Sequence, residues 1–205
     1  MSKSPCFSFD GWIAGLGTTS GTRFVVGHWP RSPFDAFSDV MVEKGDGERV
    51  LLAPSERIAE FIAGTYVFDA VHVVPVDVDI TADTWRVSAG PLRLRFTTGA
   101  RPLVGRLLRA VPARLARRPA WAALIDHPVR LLMPGVRTRG SAGGNRREWY
   151  GAQDLHAISS ASGVLEDTDL GALAAVDPPV RFGFGSTPRA PALTRVTTTV
   201  ALSRS

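Results

Sequence analysis

Cysteine is almost absent from this 205-residue chain. Cys6 stands alone, so no internal disulfide forms, no cysteine cluster holds zinc, and thiol redox chemistry is excluded. Lysine is nearly as scarce. Only Lys3, in a polar N-terminal stretch, and Lys44, in a predicted turn, occur among 24 basic residues, and a Schiff-base lysine must be desolvated, which disfavours imine chemistry. The four histidines make no H-x-H or H-E-x-x-H spacing, so the sequence predicts neither a metal nor a cofactor. Long apolar runs are also missing. No window approaches the ~20 residues that span a bilayer, and residues 1–12 lack the apolar core of a signal peptide, so the expectation is a soluble, cytoplasmic protein.

What is abundant is arginine, and it is unevenly placed. Residues 101–147 carry Arg101, Arg106, Arg109, Arg114, Arg117, Arg118, Arg130, Arg137, Arg139, Arg146 and Arg147 against one acid, Asp126. This stretch is +10 in a chain of net charge +5, so the remainder is −5. Such an asymmetry points to a charged surface or an anionic partner without naming a reaction.

Outside that stretch the dominant rhythm is period two. Residues 12–16, 23–29, 37–43 and 48–53 alternate apolar and polar residues between turn-formers, notably Gly17 to Thr22 and the Asp46-Gly47 pair. Residues 71–80 and 85–96 predict two long half-buried strands, with Pro75 and Pro91 at bulges or unpaired edges. Strands recur over residues 146–159, 180–185 and 193–202. Ser55 ahead of Glu56, Ile58, Ala59 and Ile62 predicts a short helix near 55–64, closed by Gly64. Leu103, Val104, Leu107, Leu108 and Val111 recur at helical spacing, which opens a basic helical insert near 101–133. The fold class expected is mainly β (α+β): a curled antiparallel sheet or β-barrel, one domain over residues 1–205, with 101–135 as a helical insert or lid. A two-sheet sandwich is the alternative.

Four groups of residues carry candidate chemistry. Tyr150, Asp154 and His156 share a face by the two-residue period, so a carboxylate would orient an imidazole for general-base work beside a phenol. The plain alternative is a weakly paired polar face. His28, at a strand end, and His72, in phase with Val74, Val76 and Val78, would both point inward if the sheet curls, as ligand-binding or as hydrogen-bonded structural residues. Arg137, Arg139, Arg146 and Arg147 flank Gly140, Gly143 and Gly144 in a loop suited to an anion, although the spacing is neither a Walker loop nor a dinucleotide fingerprint. Asp39, Glu148 and Asp154 are available as paired carboxylates, with no spacing to select them. Gly183 and Gly185, set between Phe182, Phe184 and Ser186, read as a crowded corner or a pocket wall.

The leading expectation is a small-molecule-binding protein. An apolar, anion-bearing or amphiphilic ligand would lie inside the barrel against Val74, Val76, Leu92 and Leu94, with the arginines on its anion. The rival is a cofactor-independent isomerase, lyase or hydrolase built on the His/Asp pair. Attachment to an anionic membrane surface through the insert is a third reading. Nucleic acid is disfavoured, since few aromatics interleave with the arginines. The oligomeric state is not legible.

Overall fold

A computed structural model describes residues 6–112, 139–142, 146–183 and 187–202. Its dominant feature is one curled, mostly antiparallel sheet forming an open half-barrel. Four strands come first: β1 (Cys6–Thr18), β2 (Arg23–Arg31), β3 (Phe37–Glu43) and β4 (Arg49–Ala53). The connections are those the turn chemistry demands. Gly21 (φ +84°) and Gly47 (φ +95°) take the left-handed conformation that side chains disfavour, and Lys44 N–H closes the second turn on the Glu48 carbonyl at 2.8 Å.

The helix α1 (Glu56–Ala63) follows, its first turn capped by Ser55 Oγ, which accepts from Ile58 N–H. The Gly64 N–H returns to the Glu60 carbonyl at the other end. Next come β5 (Ala70–Val73), β6 (Val76–Thr81), β7 (Thr84–Ala89), β8 (Leu92–Thr98) and α2 (Leu103–Ala110). The chain closes with β9 (Arg139–Ala142), β10 (Arg146–Leu165), β11 (Thr168–Asp169), β12 (Leu173–Ala174) and β13 (Ala192–Leu202). The main strand order is β5-β4-β3-β2-β1-β13-β10-β8-β7-β6, with β9 and β11 attached to β10 and β12 to β1.

Three local expectations need correction. Residues 71–80 form two strands, because the chain breaks at Val74-Pro75. Residues 85–96 form a hairpin, because Gly90 (φ +53°) and Pro91 make a two-residue turn between β7 and β8. Residues 180–183 lie in a loop and form no strand. Among the described strands one pairing is parallel: β5 returns beside β4 after the α1 crossover. Of the basic insert, residues 103–110 are helical as expected, and 113–138 lie outside the described residues.

Curling brings β3 against β6 and makes the two faces of the sheet unequal. Alternation sends Leu16, Phe24, Val26, Val40, Val42, Val50 and Leu52 to the inner face. There they meet Trp85, Val87, Leu92, Leu94 and Phe96 from the far side of the curl. Leu92 is 0% and Leu94 3% exposed, and Val74 and Val76 pack against the same core. The residues expected to face a ligand inside the barrel therefore face one another. Each large side chain buried there contributes roughly 1.5–3 kcal/mol, so filling the interior is what stabilises the curl.

The outer face belongs to the odd-numbered residues of β1 to β3. Phe9, Trp29 and Phe37 gather there with Phe34 and with Tyr150, Val196 and Val200 of the later strands. The helix α1 lies over this face, burying Ile58, Ala59 and Ile62 on Leu51 and Ala53 and presenting Phe61 to Phe9 at 5.3 Å between ring centroids.

Candidate functional site

Between the outer face of the sheet and its cover lies a cavity of about 80 Å³. One water needs roughly 10–15 Å³ by the same measure, so the space holds several waters or a small organic group. Its floor is built from β1, β2, β3, β10 and β13, and its roof from Phe61, Ile62, Thr65 and Tyr66 together with Val180, Phe182, Gly183 and Thr187.

The roof is held from several directions. Val67 N–H donates to the Phe182 carbonyl at 2.6 Å, and the Phe68 and Phe182 rings lie 5.6 Å apart. Arg181 donates from its backbone and from Nε to the Glu43 carboxylate at 2.7 and 2.8 Å. Glu43 is wholly buried, and its second cation is Arg23 at 3.1 Å, itself 4% exposed.

Two carboxyl groups reach this apolar space. Glu148, 2% exposed, accepts hydrogen bonds from Tyr66 Oη on both oxygens, at 2.8 and 2.9 Å, and the Tyr66 and Tyr150 hydroxyls are 2.6 Å apart. Burial pushes Glu148 up to about 7, against the opposing hydrogen bonds from Tyr66 and Tyr150. Burial, the Glu148 charge and Tyr150 in turn hold the Tyr66 hydroxyl well above the usual phenol range. Asp39, 3% exposed, accepts from Trp29 Nε1 at 2.9 Å and is pushed by burial up to about 6. The geometry depends on Gly27, where an added Cβ would collide with Asp39 Oδ1 and lie 2.5 Å from Trp29 Nε1.

A third polar group is left over. Thr198, directly across the strand pair from Tyr150, lines the cavity, and its Oγ1 is buried with no hydrogen-bond partner among the described residues. An unmet buried hydroxyl in a cavity wall is a place where a bound molecule gains a hydrogen bond that the free protein lacks.

The candidates drawn from the sequence are distributed otherwise. Tyr150 is in the cavity, but Asp154 and His156 are on the opposite face of β10. The register slips between Ala152 and Asp154, and one extra residue reverses which side each later side chain takes. Asp154 and His156 do come together, with Oδ2 to Nε2 at 3.5 Å. Arg101 occupies the pair: it donates to both Asp154 oxygens at 2.7 and 2.9 Å, and its Nη2 lies 3.0 Å from His156 Nε2. Burial opposes the ionised Asp154, but its hydrogen bonds, led by those from Arg101, hold the carboxyl below its ordinary value. Asp154 is thereby ion-paired to Arg101, just ahead of α2, as well as lying beside His156. Gly105 of α2 has no room for a side chain against the Leu155 carbonyl.

His28 faces the inner core, edge-on to Trp85 with its Nδ1 2.9 Å from Ser38 Oγ, and burial lowers its pKa. His72 is exposed on β5, since among the described strands β5 pairs with β4 alone and the phase carried from Val74 and Val76 breaks at Pro75. The two histidines therefore do not share an interior. Arg137 lies outside the described residues. Arg139, Arg146 and Arg147 lie on the paired strands β9 and β10.

Sequence reasoning passed over Tyr66 and treated Asp39 and Glu148 as unselected. One signal was present: Tyr66 and Tyr150 are the only tyrosines in the chain, and both enter this site.

No family model matches the sequence, and no curated protein matches it. Among solved structures the chain has a likeness to acetoacetate decarboxylase from Legionella pneumophila subsp. pneumophila str. Philadelphia 1. The identity is 11% over 98% of this chain and 88% of that one, with a TM-score of 0.42. A likeness at that level assigns no chemistry to the cavity.

Proposed function

We infer that the chain is a small-molecule-binding protein whose ligand occupies the outer-face cavity. The observation that carries this is a half-open, largely apolar cavity whose lining includes the Glu148 and Asp39 carboxyls and Thr198, a residue whose Oγ1 is buried with no hydrogen-bond partner among the described residues. The ligand is small and largely apolar and bears a polar group. The described lining holds two carboxyl groups and no basic side chain, so it supplies no partner for the anion expected from the arginines.

Native mass spectrometry of freshly purified protein, followed by solvent extraction, tests the reading. A stoichiometric adduct is expected from the wild type and not from Ile13→Phe, which fills the floor of the cavity. An adduct retained by Ile13→Phe places the ligand elsewhere.

A second reading, an acid–base enzyme without a cofactor, is favoured by one observation. Glu148 changes charge near neutral pH beside the Tyr66 hydroxyl, as a proton-transfer group must. Proton NMR in D2O with a panel of small ketones checks it: loss of the α-proton signal that requires Glu148 supports the enzyme, and no exchange removes it.

A further inference from the structure

An aromatic cavity whose described lining contains carboxyl groups and no cation has a particular electrostatic demand. Glu148 and Asp39 are each more than nine-tenths buried, and their described partners are hydroxyl and indole donors, Tyr66 and Tyr150 for one and Trp29 for the other. Other carboxylates of this chain are treated differently: the fully buried Glu43 has Arg23 and Arg181, and the partly buried Asp154 has Arg101. Burying an ionised carboxylate without a cation costs several kcal/mol, and the fold supplies cations elsewhere but none among the described residues here.

The walls suit a cation as well. Phe9, Trp29, Phe37, Phe61 and Phe182 line the space, and ring faces attract ammonium groups most strongly where water is excluded. The same aromatic cluster already receives one cation on its outside, where the Arg57 guanidinium lies 4.8 Å from the Phe34 ring centroid. Thr198 Oγ1 completes the set as a free acceptor beside Tyr150.

We propose that the cavity binds an organic ammonium ion, an amine on a small apolar body, with its nitrogen between the Glu148 carboxylate and the rings and one N–H donated to Thr198 Oγ1. This rests on the small-molecule-binding reading above and names the charge of the ligand. The titratable groups facing Glu148 are Tyr66 beyond α1, Tyr150 of β10 and, across the cavity, Asp39 of β3. The described lining from β1, β2 and β13 and from Val180, Phe182 and Gly183 adds none.

Isothermal titration at pH 7.5 with benzylamine, benzyl alcohol and benzoate separates the claims. Benzylamine is expected to bind about ten-fold more tightly than the alcohol, and benzoate more weakly than both. Glu148→Gln should abolish the preference for the amine while leaving the alcohol bound. Thr198→Val, which keeps the shape of the side chain and removes the hydroxyl, should weaken the amine by roughly three- to five-fold, and it serves if Glu148→Gln fails to fold. If the alcohol or benzoate binds as tightly as the amine, or the preference survives both substitutions, the ammonium proposal is overturned and the binding reading stands. If none of the three binds, both are overturned.

Discussion

The Tyr66 hydroxyl bridges both oxygens of Glu148, at 2.8 and 2.9 Å, across 82 residues of sequence. That contact ties the turn after α1 to β10 and closes the roof of the cavity onto its floor, so the residues that shape the site also hold the cover in place.

Because both cavity carboxyls bind their protons more tightly in the folded chain, their burial gives stability a direction in pH. Glu148 stands at about 7 against an ordinary 4.5, and Asp39 at about 6 against 3.8. The folded state keeps its full advantage below the unfolded values and loses it as pH rises through the folded ones. Chemical denaturation should show stability falling between about pH 4 and 7, by on the order of 5 kcal/mol. Glu148→Gln should flatten most of that slope; a stability that rises over this range contradicts the assignment.

Gly27→Ala should destabilise the fold by about 2 kcal/mol, since the new methyl group has no space beside Asp39 and Trp29 Nε1. The near-ultraviolet circular dichroism of the tryptophans should change with it. An Ala variant of unchanged stability and spectrum would mean the Trp29–Asp39 hydrogen bond is looser than the 2.9 Å contact implies.

Asp154→Asn should leave ligand binding untouched and reduce stability by about 1 kcal/mol, because Arg101 loses its charged partner. Arg101 holds Asp154 below its ordinary value, so this contribution is present above the unfolded carboxylate pKa and is lost as pH falls through the folded one. Loss of binding in this variant would return the Asp154 and His156 pair to the functional site.

Glu43→Gln is expected to be the most damaging single change, at roughly 3 kcal/mol or more by urea denaturation, because Arg23 would be left buried without its anion. Arg181→Ala, on the exposed end of the same network, should cost much less and should speed ligand release by loosening the Phe182 side of the roof. Equal effects for the two variants would contradict the division between a buried pair and an exposed clamp.

The sequence made the frame of this protein readable where local rules decide structure. Asp46-Gly47 and Gly21 mark their turns, Ser55 marks the start of α1, and alternation separates Leu52 from Leu51 and Val26 from Val25. It failed where a single residue shifts the phase. The slip beyond Ala152 moved Asp154 and His156 away from Tyr150, and Pro75 detached His72 from the valines behind it. The site itself was out of reach for another reason: Tyr66 meets Glu148 only after the sheet has curled and α1 has docked, and no pattern along one strand encodes that meeting.

The most direct measurement is the carboxyl ¹³C NMR titration of Glu148 from pH 4 to 9, without and with benzylamine. A midpoint near neutrality in the free protein that falls once the amine is bound is the predicted result. A midpoint in the ordinary carboxylate range, or one the amine leaves unmoved, would contradict a buried, uncompensated carboxyl as the heart of a binding cavity.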